Sequence, residues 1–264
     1  MFKSHFMPEG SRIHTTENTS YISSLAGIER AMREGKILES NVIMCDEELN
    51  LHVNLFGIKG IIPKEECVLS VNNEPIKDIA IITRVGKTVC FKVHSIKQEG
   101  DSYVAILSRK EAQEECCDFY LSSLAPGDIL PAAVTHLDNF GAFVDIGCGV
   151  ISLLSIDCIS VSRISHPRDR LYNGQRIFVA VKSNDRETGR IYVTMKELLG
   201  TWKENAAEFS TGQTVSGIVR SIESYGVFVE LAPNLAGLAE LRDDDPVLSD
   251  LQIGDEVSVY IKSI

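Results

Sequence analysis

The stretch "PGDILPAAVTHLDNFGAFVDI", residues 126–146, returns 85 residues later as "TGQTVSGIVRSIESYGVFVEL", residues 211–231. Gly127 stands against Gly212, Val134 against Val219 and Phe143 against Phe228, without a gap. Further on, "NGQRIFVAVKS" (173–183) matches "IGDEVSVYIKS" (253–263) at an offset of 80, so the later copy has a loop five residues shorter. A fainter copy lies upstream. "LNLHVNLFGIKGIIP" (49–63) aligns with 140–155 if one gap is allowed. "VGKTVCFKV" (85–93) aligns with the NGQRIFVAV run, and "VAILSRKEA" (104–112) with "IYVTMKEL" (191–198). Self-similarity at a fixed spacing marks a structural unit used three times.

Within each unit the pattern is β. Ile177, Val179 and Val181 alternate with other residues, as do Val257, Val259 and Ile261. β-branched residues dominate, and turns of Gly, Asn and Asp separate the runs. Five such strands in about 70 residues fit a small closed Greek-key barrel, which leaves no unpaired edge. The chain is therefore expected to be mainly β, with three tandem five-stranded barrels. The expected boundaries are 1–34 for an N-terminal tail and helix, 35–112 for the first barrel and 113–125 for a linker. The middle barrel takes 126–196, a linker helix 197–209 and the last barrel 210–264. By the shared register Ile264 stands where Asn184 stands, so the third copy should lack its last strand. Either the chain is a shortened form, or another segment fills that edge.

Residues 20–34 read as one helix, capped by Ser20 and ended by Gly35, with Ile22, Leu25, Ile28 and Met32 as its apolar stripe. A second helix, 197–208, carries Leu198, Leu199 and Trp202. Residues 1–18 are mostly polar and are expected to be poorly ordered.

The 264 residues carry a net charge of −11 and are 44% hydrophobic, a globular composition. No apolar run reaches membrane-spanning length and no secretory signal is visible, so a cytoplasmic location is expected. The seven cysteines show no C-x-x-C spacing, and reduced, mostly buried thiols are expected. The net charge taken alone argues against a nucleic-acid partner, but it is unevenly spread. Between 126 and 200 eight basic residues balance eight acids; between 210 and 264 nine acids face three bases.

The pattern V-x-x-I/L-x-x-F-G-A-F-V-D, followed by a strand, G-Q-x-I/V-x-V-x-V, a D/R-rich turn and R-I-x-V-x-x-K, resembles the S1 RNA-binding domain family. Its strongest match is 127–196, with 212–264 good and 35–110 weak. The order of the copies is similar to a shortened bacterial ribosomal protein S1. The resemblance implies an OB-type barrel that binds single-stranded RNA without catalysis or cofactor.

It also places Phe140 and Phe143 on the RNA-facing surface, where aromatic rings stack on bases. Residues three apart on a regular strand face opposite ways. Gly141 is expected to let the chain turn or bulge so that both rings share a face. Tyr225 and Phe228 repeat the arrangement across Gly226. In the first copy the same places are Leu49 and His52, or Glu48 and Leu51, and neither choice gives a ring pair. The family's third-strand histidine reads Ser155 here, Glu240 in the third copy and Pro63 in the first. Asp185 and Arg190 flank the last turn, Arg190 as a phosphate or base contact and Asp185 either with it or as a turn residue. Arg163, His166, Arg168 and Arg170 group in the connection after the third strand, as phosphate contacts or as a solvated face. His136, before the platform, is either a ligand contact or a surface polar residue.

The expected partner is therefore single-stranded RNA, mRNA-like, with no membrane, metal or small-molecule substrate. The alternative is a protein-interaction scaffold whose first and third barrels dock on the ribosomal small subunit. An enzyme would need a catalytic domain, and no catalytic constellation stands out. "VGKT" (85–88) ends like a phosphate-binding loop, but Ile81 holds the leading glycine's place and the stretch reads as strand. Asp243–Asp245 reads as an acidic loop.

Overall fold

A computed structural model describes residues 6–70, 76–240 and 251–264. The first barrel contains β1 (Leu38–Cys45), β2 (Leu51–Leu55), β3 (Ile58–Ile62), β4 (Thr88–Glu99) and β5 (Ser102–Ser108). It closes in the order β1-β2-β3-β5-β4, through a parallel pairing of β3 with β5. The second contains β6 (Ile129–Asp138), β7 (Gly141–Asp145), β8 (Ile151–Ser155), β9 (Arg176–Asp185) and β10 (Arg190–Thr194), and closes in the same way. Among the described residues the third unit is a four-stranded sheet rather than a closed barrel. Its strands β11 (Thr214–Glu223), β12 (Gly226–Ala232), β13 (Leu235–Glu240) and β14 (Glu256–Tyr260) run in the order β13-β12-β11-β14.

Alternation builds each core. In the second barrel Ala142, Val144, Leu154, Val179, Val181, Ile191 and Val193 turn inward and are buried. Burying each valine- or leucine-sized side chain contributes about 1.5–3 kcal/mol. The buried cluster of the third sheet is small, built on Val219, Val227 and Val229. Asp243–Asp245 lie outside the described residues.

Several local expectations need correction. The N-terminal helix is two helices, α1 (Thr16–Ile22) and α2 (Leu25–Glu34). Ser24 caps the second by accepting from Gly27 N at 3.1 Å, while the Ser20 hydroxyl donates to Glu17 O. The break lets α2 pass so close to α1 that a Cβ on Gly27 would lie 2.3 Å from Tyr21 O. Gly35 does end α2, in the left-handed region at φ 63°. After the short α3 (Asp78–Ile82), the stretch read as a linker, 113–125, lies mostly in α4 (Arg109–Ser123). The helix expected over 197–208 is interrupted at Gly200 (φ 79°), between a 3₁₀ turn (Lys196–Leu199) and the short α5 (Trp202–Ala206). Val85–Lys87 form a turn, and β4 begins only at Thr88.

The tail from residue 6 to 18 is ordered, because it supplies the joint between the first two barrels. Phe6 is buried against Tyr120. Glu9 accepts from Arg109 Nε at 2.7 Å and Arg109 Nη2 at 3.1 Å, and from Cys90 N at 3.1 Å. Its backbone N–H donates to Asp145 Oδ2 at 2.7 Å. Asp145 Oδ1 also accepts from Gly147 N and Gly149 N. Burial raises the Glu9 carboxyl, but Arg109 and then Arg84 more than offset it and hold it below its ordinary value. Burial, followed by the Glu9 charge, pushes Asp145 up to about 7. The seven cysteines are unpaired and five are buried, three of them (Cys90, Cys116, Cys148) near this joint.

Candidate nucleic-acid interface

Phe143 sits mid-strand on β7 and points out of the second barrel, half-buried, while Ala142 and Val144 point in. Its cross-strand partners are His136 on β6 and Leu153 on β8, and Leu153 lies against Tyr192 on β10. Partners directly opposite share a face, so His136, Phe143, Leu153 and Tyr192 form one row across the outer wall. The His136 ring stacks on Phe143 at 6.2 Å between centroids and 25° between planes. Phe140 lies in the turn before β7, 52% exposed, and meets Phe143 edge-on at 5.8 Å and 89°. Such a pair offers one ring face and one edge to a flat base.

Gly141 does this differently from expectation. It is a regular strand residue, paired with Asp138 and Ser155. The bulge lies opposite, at Thr135 on β6, where register slips between Val134 and His136. A Cβ on Gly141 would lie 2.5 Å from Leu154 O and 2.9 Å from Ser155 Cα. Glycine is required for that close approach, and Phe140 reaches the face because it precedes the strand.

The polar candidates divide. Ser155, opposite Gly141, lies two residues along β8 from Leu153 beside the row, and its hydroxyl beside Asp157 holds that carboxyl below its ordinary value. Arg190 is exposed and directly opposite Asp185. Asp185 fixes the turn by accepting from Glu187 N, Thr188 N and Thr188 Oγ1, which favours its turn role. His166 is also structural: Nδ1 accepts from Arg168 N at 3.0 Å and caps a 3₁₀ turn. Arg163 and Arg168 are exposed. Arg170 turns inward instead, into an ion pair with Glu230 of the third sheet, so its guanidinium is committed to joining two units rather than to phosphate.

Two residues of this surface escaped the sequence reading. Tyr192 is the outward member of the alternating strand Ile191-Tyr192-Val193, a signal that period-two reading could have found. Lys182 lies with its ammonium 3.1 Å from Cys158 Sγ. That contact, followed by Asp157 and Glu197, raises its pKa and keeps it cationic.

The third sheet repeats the ring pair: Tyr225, 61% exposed, meets Phe228 at 6.3 Å and 89°. The register slip recurs at Arg220, and Glu240 pairs with Gly226 as Ser155 does with Gly141. In the first barrel the slip at Ile43 puts His52 in Phe143's place and Leu49 in Phe140's. His52 Nε2 is tied to Asp46 Oδ2 at 2.7 Å and is mostly buried. No ring pair stands there.

Residues 123–196 match the family described as the S1 RNA binding domain. The chain is 32% identical over 192 residues to the small ribosomal subunit protein bS1 of Staphylococcus aureus (strain COL), covering 71% of this chain and 47% of that one. It is 31% identical over 246 residues to the protein of the same name from Leuconostoc lactis, covering 88% and 54%. It is 34% identical over 218 residues to a bS1 homolog of Bacillus cereus, covering 79% and 55%. The chain thus spans about half the length of these curated relatives. No helix among the described residues is long and apolar enough to cross a membrane.

Proposed function

We propose, from the premise that the middle barrel is an S1 RNA-binding domain, that this chain holds single-stranded RNA in the cytoplasm, in the service of translation. The observation that carries the reading is the pair Phe140–Phe143, backed by His136 and Tyr192 on one outward face of the matched domain. Stacking on an aromatic face contributes about 1–3 kcal/mol per base and tolerates any sequence. Arg190 on β10 and Lys182 on the neighbouring β9, both at the Tyr192 end of the row, are the phosphate contacts; Arg168 is a further exposed cation of this domain. The role is binding rather than catalysis, and an unstructured, mRNA-like strand is the ligand class.

The test is fluorescence anisotropy of a labelled oligouridylate with the full chain and with Phe140→Ala/Phe143→Ala. Loss of two rings should weaken binding by about 2 kcal/mol or more, ~30-fold. Unchanged affinity in a folded double variant would refute the reading.

The first barrel supports a second role, docking on protein. It lacks the ring pair, and Ile43, Met44 and Phe56 are exposed on it at 59%, 48% and 64%. The relatives named as small-subunit proteins make the ribosomal small subunit the surface to try. Co-sedimentation with purified small subunits should survive Phe140→Ala/Phe143→Ala and fail in Met44→Asp/Phe56→Asp. The reverse pattern would assign the ribosome contact to the RNA face.

A further inference from the structure

We infer that the groove between the second barrel and the third sheet is a second single-stranded RNA site, composed of parts from both units and from the helix that joins them. The inference rests on the RNA-binding reading above and extends it to a place no single barrel contains. The groove has a volume of about 650 Å³, within the ~300–1,000 Å³ typical of ligand sites. Tyr225 and Phe228 of the third sheet, Trp202 of α5, and Arg163 from the connection after β8 all line it.

The walls are held together before any ligand arrives. Arg170 of the second barrel and Arg220 of the third sheet both pair with Glu230, which is 6% exposed. Alongside, the Ser160 hydroxyl donates to Asn234 Oδ1 at 2.7 Å, and both residues are buried. Asn234 holds a left-handed conformation (φ 72°) in the β12–β13 turn while making that bond. A groove fixed in this way needs little ordering on binding, which favours affinity.

The rings and charges suit a nucleic acid. Trp202 is 48% exposed, and the buried residue of its helix is Ala206, so the indole is not the helix's core anchor. It adds a third stacking surface to the Tyr225–Phe228 pair. The third unit is acidic overall, yet the groove itself is lined by two guanidiniums (Arg163, Arg220) and one carboxylate (Glu223), Arg220 being paired with Glu230. Arg163 is exposed and has no ion pair or side-chain hydrogen bond among the described residues, which leaves it free to meet phosphate. Bases would lie on Tyr225 and Trp202, with the backbone toward Arg163 and away from Glu223. A third sheet too acidic to hold RNA alone thereby borrows its cation from its neighbour.

Trp202 is the chain's one tryptophan, so its emission reports this groove and nothing else. The full chain would be titrated with a 12-residue oligouridylate, anisotropy reporting total binding and tryptophan emission reporting the groove. The expected result is quenching of Trp202 as RNA binds. Trp202→Ala and Arg163→Ala should each weaken affinity ~5-fold or more, the loss of about one stacked base or phosphate contact. Quenching should persist, at higher RNA concentration, in Phe140→Ala/Phe143→Ala. Saturating anisotropy with constant tryptophan emission would overturn the groove site and leave the middle barrel's role intact. Quenching with unchanged affinity in Trp202→Ala would also overturn it, because it would report movement of the units rather than occupancy. No anisotropy change in the wild-type chain would remove both readings.

Discussion

Replacing Glu9 by alanine should be among the most damaging single changes in this chain, although Glu9 lies in a tail that reads as polar and unstructured. Its carboxylate accepts from two of the three Arg109 nitrogens and from Cys90 N, with Arg84 Nη1 at 3.8 Å. The Arg109 side chain is 1% exposed and that of Glu9 9%. Truncation leaves a buried guanidinium without its counter-charge, a second arginine beside it and an unpaired backbone N–H. Breaking one side of a buried pair costs about 3–5 kcal/mol. Removing both charges together, as in Glu9→Ala/Arg109→Met, costs much less, because the desolvation penalty disappears with them. At roughly 2–4 °C per kcal/mol for a unit of this size, the single variant should melt about 6–20 °C lower. Calorimetry reads this, with the transition of the two joined barrels followed separately from that of the third sheet. A loss under about 1 kcal/mol, or a double variant worse than the single, would refute the argument that charge compensation holds this joint.

Three further outcomes follow from particular contacts. Gly141→Ala should destabilise the middle barrel and weaken RNA binding, since its Cβ would overlap Leu154 O; an unchanged melting temperature would show that the strands can part at no cost. Asp46 is held at about 2, first by the hydrogen bond from His52 and then by Asn50. A carboxyl lowered on folding stabilises above its unfolded value of 3.8 and loses that contribution as pH falls from about 4 toward 2. Acid unfolding of the first barrel should therefore flatten over that window in His52→Ala; an identical acid transition would count against the pair. RNA affinity should fall with added salt at a log–log slope of about −0.7 per phosphate neutralised, and a flat series would exclude Lys182 and Arg190 as phosphate contacts.

The periodic part of this structure was legible. An 85-residue offset and alternating valines announced the barrels, and the ring pair showed itself by recurring as Tyr225 and Phe228. What stayed hidden was non-local or on the opposite strand. The bulge that sets the platform lies at Thr135, not at the conspicuous Gly141, because a glycine needed for close packing looks the same in sequence as one needed for a turn. Arg170 belongs to a basic run, yet its partner is 60 residues away in another unit. Glu9 and Arg109 are 100 residues apart, and no local pattern distinguishes a clamped tail from a free one. Ser24 displaced Ser20 as helix cap because the chain turns a corner between them, which an apolar stripe alone does not reveal. Tyr192, by contrast, was there to be read from strand alternation.

The decisive measurement is an NMR titration of the full chain, with its phenylalanines, tyrosines and histidines isotopically labelled, against an unstructured oligoribonucleotide. The ring signals of Phe140, Phe143, His136 and Tyr192 should shift together, saturate at one RNA concentration, and move upfield as bases lie over them. If RNA binds while those four rings keep their free-state shifts, the outward face of the middle barrel is not where nucleotides lie, and the assignment of function to it is wrong.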